Sequence, residues 1–149
     1  MNKIVNYILM LVVAASFVAC GGAKLSVADE QMARGEYFDA AKTYRKVYNK
    51  LDREQRSLRG EIAFKMGECH RLLRQNAKAS AAYANVKRFG CEDTLLNLRM
   101  AEVLHADGKY TPAIEAYKEF LEIHPDNVKA QNGLAGARIG HEKKASTRY

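Results

Sequence analysis

The chain reads as all-α, about three antiparallel helix hairpins stacked in series and closed by a further helix. Three observations carry that expectation. Small and aromatic residues recur in phase: Ala101, Leu104, Ala113, Tyr117 and Phe120 are matched 34 positions earlier by Gly67, His70, Ala79, Tyr83 and Val86. A further 39 positions back stand Ala28, Gln31, Ala40, Tyr44 and Val47. Alanine is abundant and the only two prolines, Pro112 and Pro125, fall in the last unit, a composition that favours helix. No stretch alternates with period two between turn residues as a strand would.

The spacing has a packing logic. Ala28, Gly67 and Ala101 put a small side chain on each first helix, and Ala40, Ala79 and Ala113 do so on each second helix, so the two can approach closely. Tyr44, Tyr83 and Tyr117, one turn later, fill the space between one hairpin and the next. Gly35 and Gly108 permit the left-handed backbone that ends a helix, and Pro125 cannot continue one. An amphipathic hairpin alone would show apolar stripes without this threefold phasing.

Taken in order, the first hairpin is expected from Leu25 or Ser26 to Arg34 and from Tyr37 to Leu51. The five residues that stretch the first period lie in Asp52 to Arg59, where nothing breaks a helix, so the next helix is expected to extend back to about Arg53. The second hairpin takes about Ser57 to Arg74 and Ala77 to Phe89, ended by Gly90. Glu92-Asp93-Thr94 offers an acidic start and a capping hydroxyl to the third, about Thr94 to Ala106 and Thr111 to Ile123, with Pro112 tolerated in a first turn. Asn127 to Ile139, with Ala130, Leu134 and Ala137 on one face, reads as a capping helix. His141 to Tyr149 is polar and expected to fray.

Gly108-Lys109-Tyr110, Ala113, Tyr117, Phe120 and His124-Pro125, with the 34-residue period, resemble the tetratricopeptide repeat family over about Lys24 to Gly140. The resemblance implies a right-handed superhelix of about three tetratricopeptide hairpins plus a C-terminal capping helix, with a concave face formed by the first helices that binds peptides. Arg74-Gln75-Asn76 replaces the Gly-x-Tyr turn of the second unit, and the tryptophan common in the first helix is absent.

Residues 1–19 read as a signal peptide. Lys3 precedes an apolar run from Tyr7 to Ala19, of signal-sequence length and too short to span a bilayer comfortably. The run ends Phe17-Val18-Ala19-Cys20-Gly21, which resembles the lipobox of bacterial lipoproteins and implies acylation of Cys20. Multiple acyl chains would hold the protein on a membrane, and Gly21 after the cysteine implies the outer membrane under the Gram-negative sorting rule. The expected organisation is therefore 1–19 leader, 20–24 lipidated tether, 25–140 repeat domain and 141–149 flexible tail or linker.

The formal charge is +7, but bases and acids interleave, as in Arg53-Glu54-Gln55-Arg56, which describes a solvated mixed surface and no nucleic-acid partner. Cys69 lies mid-helix and Cys91 in the turn at the far end of the same hairpin's second helix, about 10 Å apart at 5.4 Å per turn, and both are expected to be free, partly buried thiols. His70, His105, His124 and His141 never pair at three or four residues' separation, so no metal site is implied; His70 takes a packing position. No nucleophile turn, phosphate loop or Cys/His signature occurs. Neither an enzyme, a cofactor nor a small-molecule substrate is implied.

By repeat phase the concave face presents Phe64, Lys65, Glu68 and Arg71 beside Leu98, Arg99, Glu102 and His105. Each row can pair within its own helix. Family members that capture a chaperone's C-terminal carboxylate use Lys and Asn at fixed first-helix positions; Asp29, Glu68 and Glu102 stand where Asn would, so an internal segment of mixed charge is the expected ligand.

A lipobox followed at once by such repeats, with Gly35-Glu36-Tyr37-Phe38-Asp39-Ala40-Ala41-Lys42-Thr43-Tyr44, is also similar to the N-terminal region of a Bacteroidota envelope family. There the repeats precede a WD-type propeller and an OmpA-like peptidoglycan-binding domain, and some members serve type IX secretion and gliding. Ser146 to Tyr149 resembles the linker into that propeller. The expected role is an outer-membrane-anchored scaffold for an envelope protein or peptide partner. The competing class is an accessory module of a peptidoglycan-processing enzyme complex.

Overall fold

A computed structural model describes residues 24–91 and 94–147. Among these residues there are seven helices and no strand. They are α1 (residues 24–33), α2 (Tyr37–Tyr48), α3 (Arg56–Leu72), α4 (Asn76–Phe89), α5 (Leu96–Ala106), α6 (Tyr110–Ile123) and α7 (Val128–Ser146). The leader, Cys20, most of the tether, Glu92-Asp93 and the last two residues lie outside the described residues.

Each helix packs on its sequence neighbours, and α5 also touches α7. The core is accordingly split into three clusters. Ala28, Ala40, Tyr44, Ile62 and Cys69 join α1, α2 and α3. Ala63, Ala79, Tyr83, Val86 and Val103 join α3, α4 and α5. Leu98, Ala101, Ala113, Tyr117, Ala130 and Ala137 join α5, α6 and α7. This is the one-dimensional stacking of a solenoid, in which each unit is sealed by the next.

The in-phase small and aromatic positions lie in the core, and two tyrosine rings rest on glycines. Ala28, Ala40, Ala79, Ala101 and Ala113 are fully buried, as are Tyr44 and Tyr83. A Cβ on Gly67 would overlap the Tyr83 ring, and one on Gly133 would overlap the Tyr117 ring. Tyr117 thus packs on α7, the next hairpin position, as the phasing requires.

Four helices end in the same way. Gly35, Gly90 and Gly108 have positive φ, and so does Arg74, at 55°. At each the amide bonds back three residues and the following amide five, as in Gly108 N–H to His105 O at 3.0 Å and Lys109 N–H to Leu104 O at 2.9 Å. These are paired C-terminal turns of the Schellman type. Arg74-Gln75-Asn76 therefore makes the same turn as Gly-x-Tyr, with a residue that pays for its Cβ.

Boundaries differ from expectation at several helix ends, including α2, which stops at Tyr48 and not at Leu51. The extra residues after α2 form a turn and α3 starts at Arg56, because the turn satisfies its own backbone. Asp52 N–H donates to Gln55 Oε1 at 3.0 Å, and Arg59 Nη1 donates to Leu51 O at 2.7 Å while stacking 4.3 Å from the Tyr48 ring centroid. Helix α5 starts at Leu96, two residues later than read, with Thr94 outside it. Helix α7 continues to Ser146 instead of ending at Ile139. Gly140 lets it lie on the Tyr110 ring and Lys144 Nζ donates to Gly108 O at 3.1 Å. Asn127 caps its start, accepting from Ala130 N–H at 2.9 Å.

Cys69 and Cys91 are free, Cys69 buried with its thiol pushed up to about 11 by burial. Cys91 packs over Gly60 near the start of α3, the far end of the hairpin from Cys69. No described helix is long and apolar enough to cross a membrane.

Two substitutions test this packing by denaturant unfolding. Gly67→Ala should lose about 1–3 kcal/mol by overpacking against Tyr83, despite alanine's better helix propensity. Arg74→Gly should gain up to about 1 kcal/mol by relieving the left-handed strain. A gain for the first or a loss for the second contradicts the account.

Candidate functional site

The first helices α1, α3 and α5, and then α7, form one face of the stack. Lys65 Nζ reaches Asp29 Oδ1 on α1 at 2.8 Å and Glu61 Oε1 on its own helix at 3.1 Å. Arg71 grips Glu68 with two nitrogens, at 3.0 and 2.8 Å. Arg99 on α5 approaches the same carboxylate at 3.4 Å and Glu102 at 3.2 Å. Lys129 on α7 closes on Glu102 at 2.5 Å. Four acids and four bases thus run from α1 to α7 as a ladder that is neutral in a basic chain.

The core tyrosines tie into this ladder. Tyr44 Oη donates to Asp29 Oδ1 at 2.5 Å, and Tyr83 Oη donates to Glu68 Oε1. Burial and these carboxylates push both phenols well above their ordinary value. Tyr117 is pushed up to about 12 by burial and by the charge of Glu102. Burial opposes ionisation of Glu68, but hydrogen bonds from Arg71 and Tyr83 and the charges of Arg71 and Arg99 outweigh it and hold the carboxyl below its usual range.

The structure brings Lys65, Glu68, Arg71, Arg99 and Glu102 together as the repeat phase requires. One of the expected face residues is in the core, and two others are partly buried against tyrosine rings. Leu98 is 4% exposed in the core. Phe64 is half-buried, its ring 5.8 Å from that of Tyr83. His105 sits edge-on to Tyr110 and Tyr117, at 5.8 and 6.1 Å, under Gly136 of α7. The rows also pair differently from expectation. They are linked across helices by Lys65 to Asp29, Arg99 to Glu68 and Lys129 to Glu102, as well as within them.

Sequence reasoning missed Lys129 and the tyrosine hydroxyls. The signal for the latter was available: Asp29 and Tyr44, Glu68 and Tyr83, Glu102 and Tyr117 all stand 15 residues apart. Of the histidines, His70 Nδ1 lies 3.0 Å from Gln75 Oε1. Burial holds its pKa below the ordinary imidazole value, aided by Lys78 and Arg45. No cluster of His, Cys, Asp or Glu among the described residues is placed to hold a metal ion.

Residues 96–127, covering α5, α6 and the turn into α7, match the tetratricopeptide repeat family model. No curated protein matches the chain. Among solved structures it is similar to the C-terminal tetratricopeptide-containing domain of a Plasmodium falciparum protein described as an FK506-binding protein. The TM-score is 0.66 at 13% identity, over 86% of this chain and 90% of that one. At that identity the likeness is one of fold, and the chain folds as a tetratricopeptide-type superhelix. Such domains generally mediate protein–protein interaction and are typically non-catalytic.

Glu68 has a testable pH signature. Its folded pKa lies below its ordinary 4.5, so its stabilising contribution is present above that value and is lost as pH falls through the folded pKa. Glu68→Gln should cost about 1–3 kcal/mol at neutral pH and flatten the acid limb of the stability profile. An unchanged acid limb contradicts the ladder geometry.

Proposed function

We propose that the chain is an outer-membrane lipoprotein, held by an acylated Cys20, whose superhelix is a periplasmic scaffold for a protein partner in type IX secretion or envelope assembly. The observation that supports the scaffold reading is the neutral ladder on the inner face. Its ends are wet: the Lys129 side chain is 67% exposed, and Asp29 and Glu61 are largely open. Surface pairs of this kind are worth only about 0–1 kcal/mol, so an incoming segment of mixed charge exchanges with them at little cost. The buried centre, Glu68 with Arg71 and Arg99, holds the helices in register beneath it.

The acids also select the ligand. Asp29, Glu68 and Glu102 already occupy the bases that a terminal carboxylate would need, so the partner contributes an internal segment. The membrane address rests on the sequence Phe17 to Gly21 alone.

Growth with a clickable palmitate analogue should label the protein in the outer-membrane fraction, and Cys20→Ala should abolish labelling while the repeat domain stays folded. Crosslinking followed by affinity recovery should return secretion-channel components, and Lys129→Glu with Asp29→Lys should reduce that yield severalfold. Label that survives Cys20→Ala contradicts the anchor. Recovery of a glycan hydrolase alone contradicts the scaffold role in secretion.

A further inference from the structure

The ladder pairs four acids with four bases, so the chain's positive surplus lies outside it. Part of it gathers around a cleft of about 210 Å³ on the other side of the stack, between the N-terminal half of α2 and the turn joining α3 to α4. Phe38, Ala41 and Leu73 give it apolar walls, and His70 and Gln75 form a polar edge. Lys42, Arg45 and Lys78 rim it. None of these three pairs with a carboxylate of the described residues, and no acid lines the cleft. Asp39 is on α2 but outside the lining.

Phe38 is 65% exposed. Tyr37, Ala40, Ala41, Tyr44 and Val47 make the stripe of α2 that packs inward, and Phe38 falls off it. Its ring contributes little to the core, and with Ala41 and Leu73 it makes an apolar wall beside three cations that no carboxylate of the described residues pairs, complementary to an acidic segment. A volume of about 150 Å³ accommodates a benzene-sized group, so this cleft has room for one large apolar side chain.

We propose that this cleft is a second docking site, distinct from the inner face, and takes an acidic extended segment of a partner protein bearing one aromatic or branched apolar residue. The apolar residue enters beside Phe38 and Leu73, and flanking carboxylates meet Lys42 and Arg45 on one side and Lys78 on the other. The recessed shape favours a peptide over an anionic bilayer, which would need a flat or protruding basic surface. The site is independent of the anchor and of the inner face.

The test uses the full chain in non-ionic detergent and a labelled, end-blocked nonapeptide of glutamates around a central phenylalanine, read by fluorescence anisotropy. Binding should weaken about tenfold or more in Phe38→Ser and in Lys42→Glu/Arg45→Glu/Lys78→Glu. It should weaken likewise when the peptide's phenylalanine is replaced by serine, and fall with salt. Bound peptide should slow hydrogen exchange in 38–45 and 70–78 of the unaltered chain, a readout that does not depend on the variants folding. No binding at millimolar peptide, affinity indifferent to these changes, or protection confined to the inner face overturns the proposal. Protection of the same segments by phosphatidylglycerol nanodiscs and not by the peptide assigns the surface to lipid and also overturns it.

Discussion

The structure depends on one recurring contact, a tyrosine of the second helix laid over a small residue of the first with its hydroxyl directed to the acid that follows. Tyr83 meets Gly67 and Glu68 in this way, and Tyr44 shares a core cluster with Ala28 and donates to Asp29. A single side chain thereby does two things. Its ring fixes how closely the hairpin closes, and its phenol pins a carboxylate at the edge of the core. A buried phenol without an acceptor would cost about 1–3 kcal/mol, so the acid is a structural requirement before it is a functional group. Tyr117 varies the theme, feeling the Glu102 charge while that carboxylate is taken by Arg99 and Lys129.

From this follows the character of the inner face. Acids placed by the tyrosines must be neutralised, and Lys65, Arg71, Arg99 and Lys129 do so, several by reaching to the next helix. The ladder thus couples neighbouring units through charge as the three core clusters couple them through apolar contact. It also explains the charge distribution: with the ladder balanced, the basic excess is left outside it, where Lys42, Arg45 and Lys78 stand together.

The repeat phase was legible because small residues and aromatics act through spacing, which a sequence displays directly. Helix ends at Gly35, Gly90 and Gly108 were legible for the same reason. Arg74 was not, since an arginine gives no local sign of a left-handed turn; the surrounding hairpin imposes it. The turn after α2 was hidden because its stability comes from Arg59 and Gln55 reaching back, and α7 was read short because Lys144 and Gly140 act on Gly108 and Tyr110 in a distant part of the chain. Leu98 was misplaced by carrying one row onto the next without asking which turns the neighbouring helices would cover. The 15-residue offset between acid and tyrosine was in plain view, but reading the tyrosines as space-fillers concealed the role of the hydroxyl.

The most direct measurement is a double-mutant cycle at Tyr83→Phe and Glu68→Gln, with stability read by denaturant unfolding at neutral pH. If the phenol and the carboxylate act as one unit, the two losses should fall short of adding by about 1 kcal/mol or more. Losses that add to within about 0.3–0.5 kcal/mol, as for independent sites, would contradict the claim that this pairing organises both the hairpin and the charged face.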